Sequence, residues 1–348
     1  MKTSFVSSSA ISQTMRNHMM RMQVELVQRQ QEVTTQRLAD PGATLGARAG
    51  FSFSMTRDIQ RLENLLDSNG LAANRLSATQ NALEQFSNVS QDLLSTLTAA
   101  VSGVSDTSIV RAAATRSLES VTSILNTNMN GEYLFAGINT DVKPVNEFTA
   151  PGSPNQAQFD TYFQTHFGFP QSDPAAASIT AAQMNDFIDN TLLPGFLGTD
   201  WQAAWSNASN ETITSRITLN ETAQTSTTAN SIGMRKVALA TAMTSDLLKI
   251  PLSEETQKAL YTKATALVGE AVADVARVQS EVGVAEIRVK DATDRVEAQI
   301  DLSKLFVNEM EGVDPYEAST KLNELLTQIE TSYALTARIQ QLSLLRHL

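Results

Sequence analysis

The sequence predicts a mainly α chain: long helices from both ends form an antiparallel bundle or coiled coil, and a small α+β insert sits in the middle. Three observations predict it. Apolar residues recur at spacings of three and four through both the N-terminal and C-terminal thirds. Aromatics and prolines gather between them, with 12 of the 20 aromatics in residues 133–205 and six of the nine prolines in residues 144–194. Turn-forming sequences, Asp40-Pro41-Gly42, Asn130-Gly131 and Asp314-Pro315, punctuate the periodic segments. The expected division is a terminal coiled coil from 1–45 and 312–348, a long-helix bundle from 46–140 and 225–311, and an insert at 141–224.

The first helix is expected over about 8–36, apolar at Ile11, Met15, Met19, Met22, Leu26 and Val33. The repeats at seven make its apolar stripe narrow. Asp40-Pro41-Gly42 breaks it, because proline cannot continue a helix interior, and the small residues of 41–53 read as a linker. From about 57 a long helix follows. One column is Leu62, Asn69, Leu76, Leu83, Ser90, Leu97 and Val104; the other is Leu65, Ala72, Thr79, Phe86, Leu93 and Ala100. Asp106 is a cap for a further helix, apolar at Val110, Ala114, Val121, Leu125 and Met129 and expected to end at Asn130-Gly131. Tyr133-Leu134-Phe135-Ala136 then reads as a strand leading into the insert.

Within the insert, Ser178 to Leu193 reads as a short helix and Glu211 to Asn220 as a strand. Its aromatic composition implies a small core of its own. A helix over 231–249 is stopped by Pro251. Ser253 caps the next, with Glu254 and Glu255 facing its positive end. Its seam is made of Val268, Val275, Val282, Val289 and Val296 beside Ala264, Ala271, Val278, Ala285 and Ala292, residues small enough for close helix approach. Gly312 ends it. Asp314-Pro315-Tyr316-Glu317 starts the last helix, with proline at the first helical position. That helix carries Leu322, Leu325, Ile329 and Tyr333, then Leu335, Ile339, Leu342 and Leu345.

The chemistry is sparse. A net charge of −11 opposes binding to nucleic acid or to anionic membranes. No apolar run reaches the roughly 18 residues of a membrane span, and the first residues do not form a cleavable signal peptide. The chain has no cysteine. Its three histidines, His18, His166 and His347, lack metal-ligand spacing, so no metal or other cofactor is expected. Asp291, Asp294, Glu297 and Asp301 resemble a carboxylate cluster, but Arg288, Lys290, Arg295 and Lys304 interleave them. Glu286–Lys290 and Asp291–Arg295 are spaced as helical ion pairs, so this is a solvated face. Four Asn-x-Ser/Thr sequences, at Asn88, Asn207, Asn210 and Asn220, are no more than such a composition produces by chance. No nucleophile is paired with a base, so catalysis is not expected.

The two ends carry the strongest functional signal. Each apolar side chain stabilises by roughly 1.5–3 kcal/mol when fully buried. Ordering a helix costs on the order of 1–2 kcal/mol per residue before hydrogen bonds and packing offset it. A single amphipathic helix beyond a linker is marginal on those terms. Each end therefore needs the other, and neighbouring molecules, to bury its stripe. Met15, Met19, Met22 and Leu26 from one end, with Leu322, Leu325, Ile329, Leu335, Ile339 and Leu342 from the other, are the expected assembly surface.

Three stretches resemble the flagellin superfamily, and within it the hook-associated proteins of the hook–filament junction. "NGEYLFAG", with Asn130, Gly131, Tyr133, Leu134, Phe135 and Gly137, resembles the signature where the helical domain passes into the outer part. "GVDPYEASTKLNELLTQIETSYALTARIQQLSLLRHL" resembles the shared C-terminal helix, and "QRLADPGATLGARAG" the linker after the first helix. The likeness implies a flagellin-like fold with both chain ends paired in an inner coiled coil and the insert facing outward. It implies a bacterial flagellar structural protein, extracellular and exported unfolded through the flagellar type III apparatus. Its implied partners are other copies of itself, flagellin, the hook-proximal junction protein and a cytoplasmic export chaperone. A minor flagellin, a soluble coiled-coil signalling or adaptor protein, and an enzyme housed in the insert are the other readings.

Overall fold

The computed structural model describes residues 8–344 and, within them, the side chains of residues 10–338 other than Ser12. Two compact units divide the chain: one runs up to Asn64 and resumes at Val296, the other spans Leu65–Arg295.

In the first unit, α1 (Ser8–Thr35) packs along α10 (Pro315–Leu344). Residues 41–53 are not a loose linker. Asp40 accepts a hydrogen bond from the Ala43 amide at 2.9 Å, and Pro41, having no amide hydrogen to satisfy, opens the short helix α2 (Pro41–Leu45). A 3₁₀ turn at Gly46–Arg48 leads directly into α3 (Ala49–Val101). The last part of α9 (Glu254–Glu311) belongs to this unit; its start lies in the other, set as expected by Pro251 and Ser253, whose hydroxyl accepts from the Thr256 amide at 3.3 Å.

Helix α9 stops at Gly312, where an added Cβ would lie 2.4 Å from the Asn308 carbonyl oxygen. The two chain crossings are stitched together there. The Leu38 amide donates to the Glu311 carbonyl at 2.8 Å, and the Val313 amide to the Gln36 carbonyl at 3.0 Å. Ser52 and Glu311 share a buried side-chain hydrogen bond. Asp314 caps α10 by accepting from the Tyr316 amide at 2.8 Å.

In the second unit the heptad columns lie where the spacing predicts. From Asn69 to Ala100 on α3 both columns are buried, and so are the valine and alanine columns of α9 from Ala264 to Ala292. Val104 departs from its column: it lies beyond the end of α3 and is 81% exposed. Helix α4 (Thr107–Leu125) ends earlier than expected. The Asn126 side chain holds Val145 through both its backbone groups, each at 2.9 Å, drawing the 143–147 segment against the helix end.

Asn130-Gly131 is therefore the turn of a hairpin rather than a helix terminus. It joins β1 (Asn128–Met129) to β2 (Glu132–Tyr133), with φ of 55° at Asn130 and 88° at Gly131. Two left-handed residues match the twist of a tight hairpin, and Asn-Gly tolerates both. Leu134, Phe135 and Ala136 are wholly buried but continue as irregular chain rather than strand.

The insert does not build a separate core. Phe159, Phe163, Phe187, Trp201 and Trp205 share one cluster with Leu93, Leu97, Val110 and Leu260 of the long helices. The cause is α8 (Ile232–Leu247), buried on nearly every side, which joins the two sets of side chains. His166 lies in the last turn of α5 (Pro154–Phe167). The helix expected over 178–193 is α6 (Ala181–Phe187), a π-turn at Ile188–Leu192, and then α7 (Leu193–Leu197). The strand expected at 211–220 shrinks to β3 (Thr214–Arg216), paired antiparallel with β4 (Thr222–Gln224).

Candidate assembly surface

The seam between α1 and α10 is built from the predicted residues. Met22, Leu325 and Ile329 are buried together, with Met19 and Leu26 packed against them. Met15 sulfur lies 3.9 Å from Thr336 Oγ1, and Gln23 Nε2 donates to Tyr333 Oη at 2.9 Å. Leu322 is half-buried, whereas Leu335 is 51% exposed. The side chains of Ile339 and Leu342 lie outside the described residues. Much of the narrow stripe at each end is thus taken up by the other end of the same chain.

A second ridge was missed by reading heptads alone. Met20, Val24 and Val27, at i, i+4 and i+7, are 57%, 61% and 62% exposed. Met20 and Val24, with Asn17, Arg21, Glu25 and Gln28, line a shallow groove on α1. The signal was present: these residues form their own helical stripe beside the methionine one. On α10, Leu326 and Tyr333 add further exposed apolar surface. At the C-terminal end of α1, Arg29 pairs with the buried Glu32 at 2.7 Å, and this hydrogen bond raises the arginine pKa. Glu32 also accepts from the Ala39 amide at 3.3 Å, tying α1 to the turn that follows.

The signature residues are architectural and lie in the second unit. Asn130 and Gly131 are exposed at the hairpin turn; Leu134, Phe135 and Gly137 are buried. Arg75 on α3 grips the hairpin, pairing with Glu132 and donating to the Tyr133 carbonyl at 2.9 Å. Gly137 has φ of 66°, and an added Cβ would meet the carbonyl oxygens of Glu211 at 2.4 Å and Ser209 at 2.6 Å.

His166 contacts Thr191 Oγ1 through Nδ1 at 2.9 Å and Asp186 through Nε2 at 3.6 Å, with its ring against Phe167 and Phe187. Arg295 does not use its predicted pairing with Asp291, and its neighbour Arg288 on the same helix shares the partner it takes instead. Arg288 and Arg295 reach Glu221 at the β3–β4 turn, at 3.1 and 2.8 Å, because a carboxylate on the facing hairpin sits between them. Among the described residues no group of three or more His, Asp or Glu could hold a metal ion, and no helix is long and apolar enough to cross a membrane.

The profile of the bacterial flagellin N-terminal helical region matches residues 6–140, and that of the bacterial flagellin C-terminal helical region matches residues 265–348. No curated protein matches the sequence. Among solved structures, a Vibrio parahaemolyticus chain described as a flagellar hook-associated protein shares the fold at a TM-score of 0.51 and 11% identity. The match covers 77% of this chain and 97% of that one.

Proposed function

The chain belongs to the flagellin superfamily, and from that premise we propose that it is the hook–filament junction subunit, hook-associated protein 3. The family is structural rather than enzymatic, and its members assemble into flagellar polymers. The observation that carries the proposal is the paired terminal helices, whose inner seam closes within the chain while an apolar ridge stays open on α1. Copies zip together through that ridge, and many weak seams become strong collectively. Residues 1–45 and 312–348 form the inner layer, the long helices the next, and 141–224 the outer face.

The signature "NGEYLFAG" and a methionine-rich first helix support the junction reading, since methionine adapts to irregular contacts with unlike neighbours. One side of the junction meets the hook-proximal junction protein and the other meets flagellin. Export proceeds unfolded through the flagellar type III apparatus, with a cytoplasmic chaperone on the terminal helix beforehand, and the mature subunit is extracellular. A minor flagellin is the second reading, favoured by the flagellin profiles themselves.

Immunogold labelling of isolated flagella separates the two. A short zone at the filament base supports the junction, and label along the whole filament hands the case to flagellin. Leu325→Asp with Ile329→Asp tests the assembly role. Both side chains are under 10% exposed in the seam, at 7% and 9%, so filaments are expected to be lost. Normal filaments on cells carrying only this variant would sink the assignment.

A further inference from the structure

Within the first unit, two outward stripes on α3 and α9 carry opposite charge. On α3, Phe53, Arg57 and Arg61 follow one another at four-residue intervals and are all exposed. On α9, Glu297, Asp301 and Leu305 do the same. Phe53 and Leu305, each beside charged side chains of its own stripe, are 56% and 61% exposed. Neither arginine and neither acid has an ion-pair partner among the described residues. Both stripes point away from the buried lines, Ser52, Ile59 and Leu62 on α3 and Ile300, Val307 and Glu311 on α9.

The imbalance extends through both arms. The chain up to Asn64 has eight Lys/Arg against five Asp/Glu; from Val296 onward it has four against eight. The helices run antiparallel here, with Ser52 bonded to Glu311 and Glu63 to Lys304. The two stripes are therefore offset by about seven residues along the helix axis, Leu305 lying level with the Arg61 end of the α3 stripe rather than with Phe53. Matching them requires an axial slide of about 10 Å, roughly two helical turns.

We infer that a second copy of this chain docks side by side, setting Phe53, Arg57 and Arg61 of one copy against Leu305, Asp301 and Glu297 of the next. The order matches residue for residue because the facing helices are antiparallel. The two stripes lie on different helices, so the contact is head-to-tail. Each copy keeps one free stripe on each side, and the contact repeats around a ring or helix instead of stopping at a dimer. Arginine–carboxylate pairs in this setting fix register and weaken with salt.

This inference rests on the self-assembly reading above. The chain has no cysteine, which makes disulfide trapping clean. Full-length Phe53→Cys and Leu305→Cys chains are mixed at high concentration and oxidised, with sedimentation run in parallel. The expected result is a mixed dimer exceeding either symmetric dimer at least tenfold, and a ladder of higher species from the chain carrying both cysteines. Arg57→Glu or Asp301→Arg alone should cut the yield about tenfold, and the two in partner chains should restore it. Symmetric dimers in excess, or association without the mixed disulfide, would overturn this contact while leaving self-assembly intact. No association at any concentration, together with no incorporation into flagella, would remove the assembly reading and this contact with it.

Discussion

Gly137→Ala should be among the most destabilising single-methyl additions in the chain. The glycine has φ of 66°, a region costing an L-residue about 1–2 kcal/mol. The new Cβ would also lie 2.4 Å from the Glu211 carbonyl oxygen and 2.6 Å from that of Ser209. Neither atom can yield cheaply. The Glu211 carbonyl accepts from the Ile138 amide at 3.0 Å, and the Ser209 amide donates to Ala136 at 2.9 Å. Displacing that crossing loses one or two hydrogen bonds, each worth about 1 kcal/mol net. The expected loss is about 2–4 kcal/mol. Gly131→Ala is the internal control, because Gly131 has φ of 88° with nothing within 4 Å of an added Cβ. It should lose only the conformational part, about 1–2 kcal/mol. Urea unfolding followed by circular dichroism measures both. Equal losses for the two variants would refute the steric argument and leave only the dihedral cost.

Asn230→Ala should unseat the core beneath the insert. Its buried amide accepts from Trp201 Nε1 at 2.8 Å and Ser206 Oγ at 2.6 Å and donates to the Ala208 carbonyl at 2.9 Å. Leaving such groups unpaired costs about 1–3 kcal/mol each, so the urea midpoint read by tryptophan fluorescence should fall sharply. Acid stability should depend on Asp274, whose carboxyl is held below the usual range by the hydrogen bond from Lys236, which outweighs burial. A depressed folded pKa contributes stability that is present above the unfolded value near 4 and lost as pH falls through the folded one. Asp274→Asn should therefore flatten the dependence of stability on pH below about 4, and an unchanged slope would exclude this pair as its source. Arg75→Ala should loosen the hairpin, speeding amide exchange at Tyr133 and Leu134 while the interior of α9 keeps its protection.

The long helices were legible because their pattern repeats. Nearly every residue of four heptad columns is buried, and Asp106, Ser253 and Asp314 all cap where their spacing to the apolar run implied. Errors fell where a local signal had two physical outcomes. Asn130-Gly131 suits a helix end and a primed hairpin turn equally well. The Asn126 side chain, bonded to Val145 across the chain, decided between them, and nothing local reveals that partner. Residues 41–53 look like a linker by composition, yet Asp40 and Pro41 nucleate helix at once. The aromatics of the insert were taken to need their own core because composition cannot show that α8 is buried all round. At the assembly surface the methionine and leucine seam was readable as heptads. Met20, Val24 and Val27 were not, because the dominant stripe beside them hid a second one.

The most direct test of the account is Val24→Asp with Val27→Asp, supplied as the only copy in flagellated cells. Both side chains are more than half exposed, so the isolated protein should keep its circular dichroism spectrum and the α1–α10 pairing, read as a disulfide between Met22→Cys and Ile329→Cys. Incorporation into flagella should nevertheless be lost. Filaments of normal number and length on those cells would contradict the claim that the open ridge of the paired ends is what joins one subunit to the next.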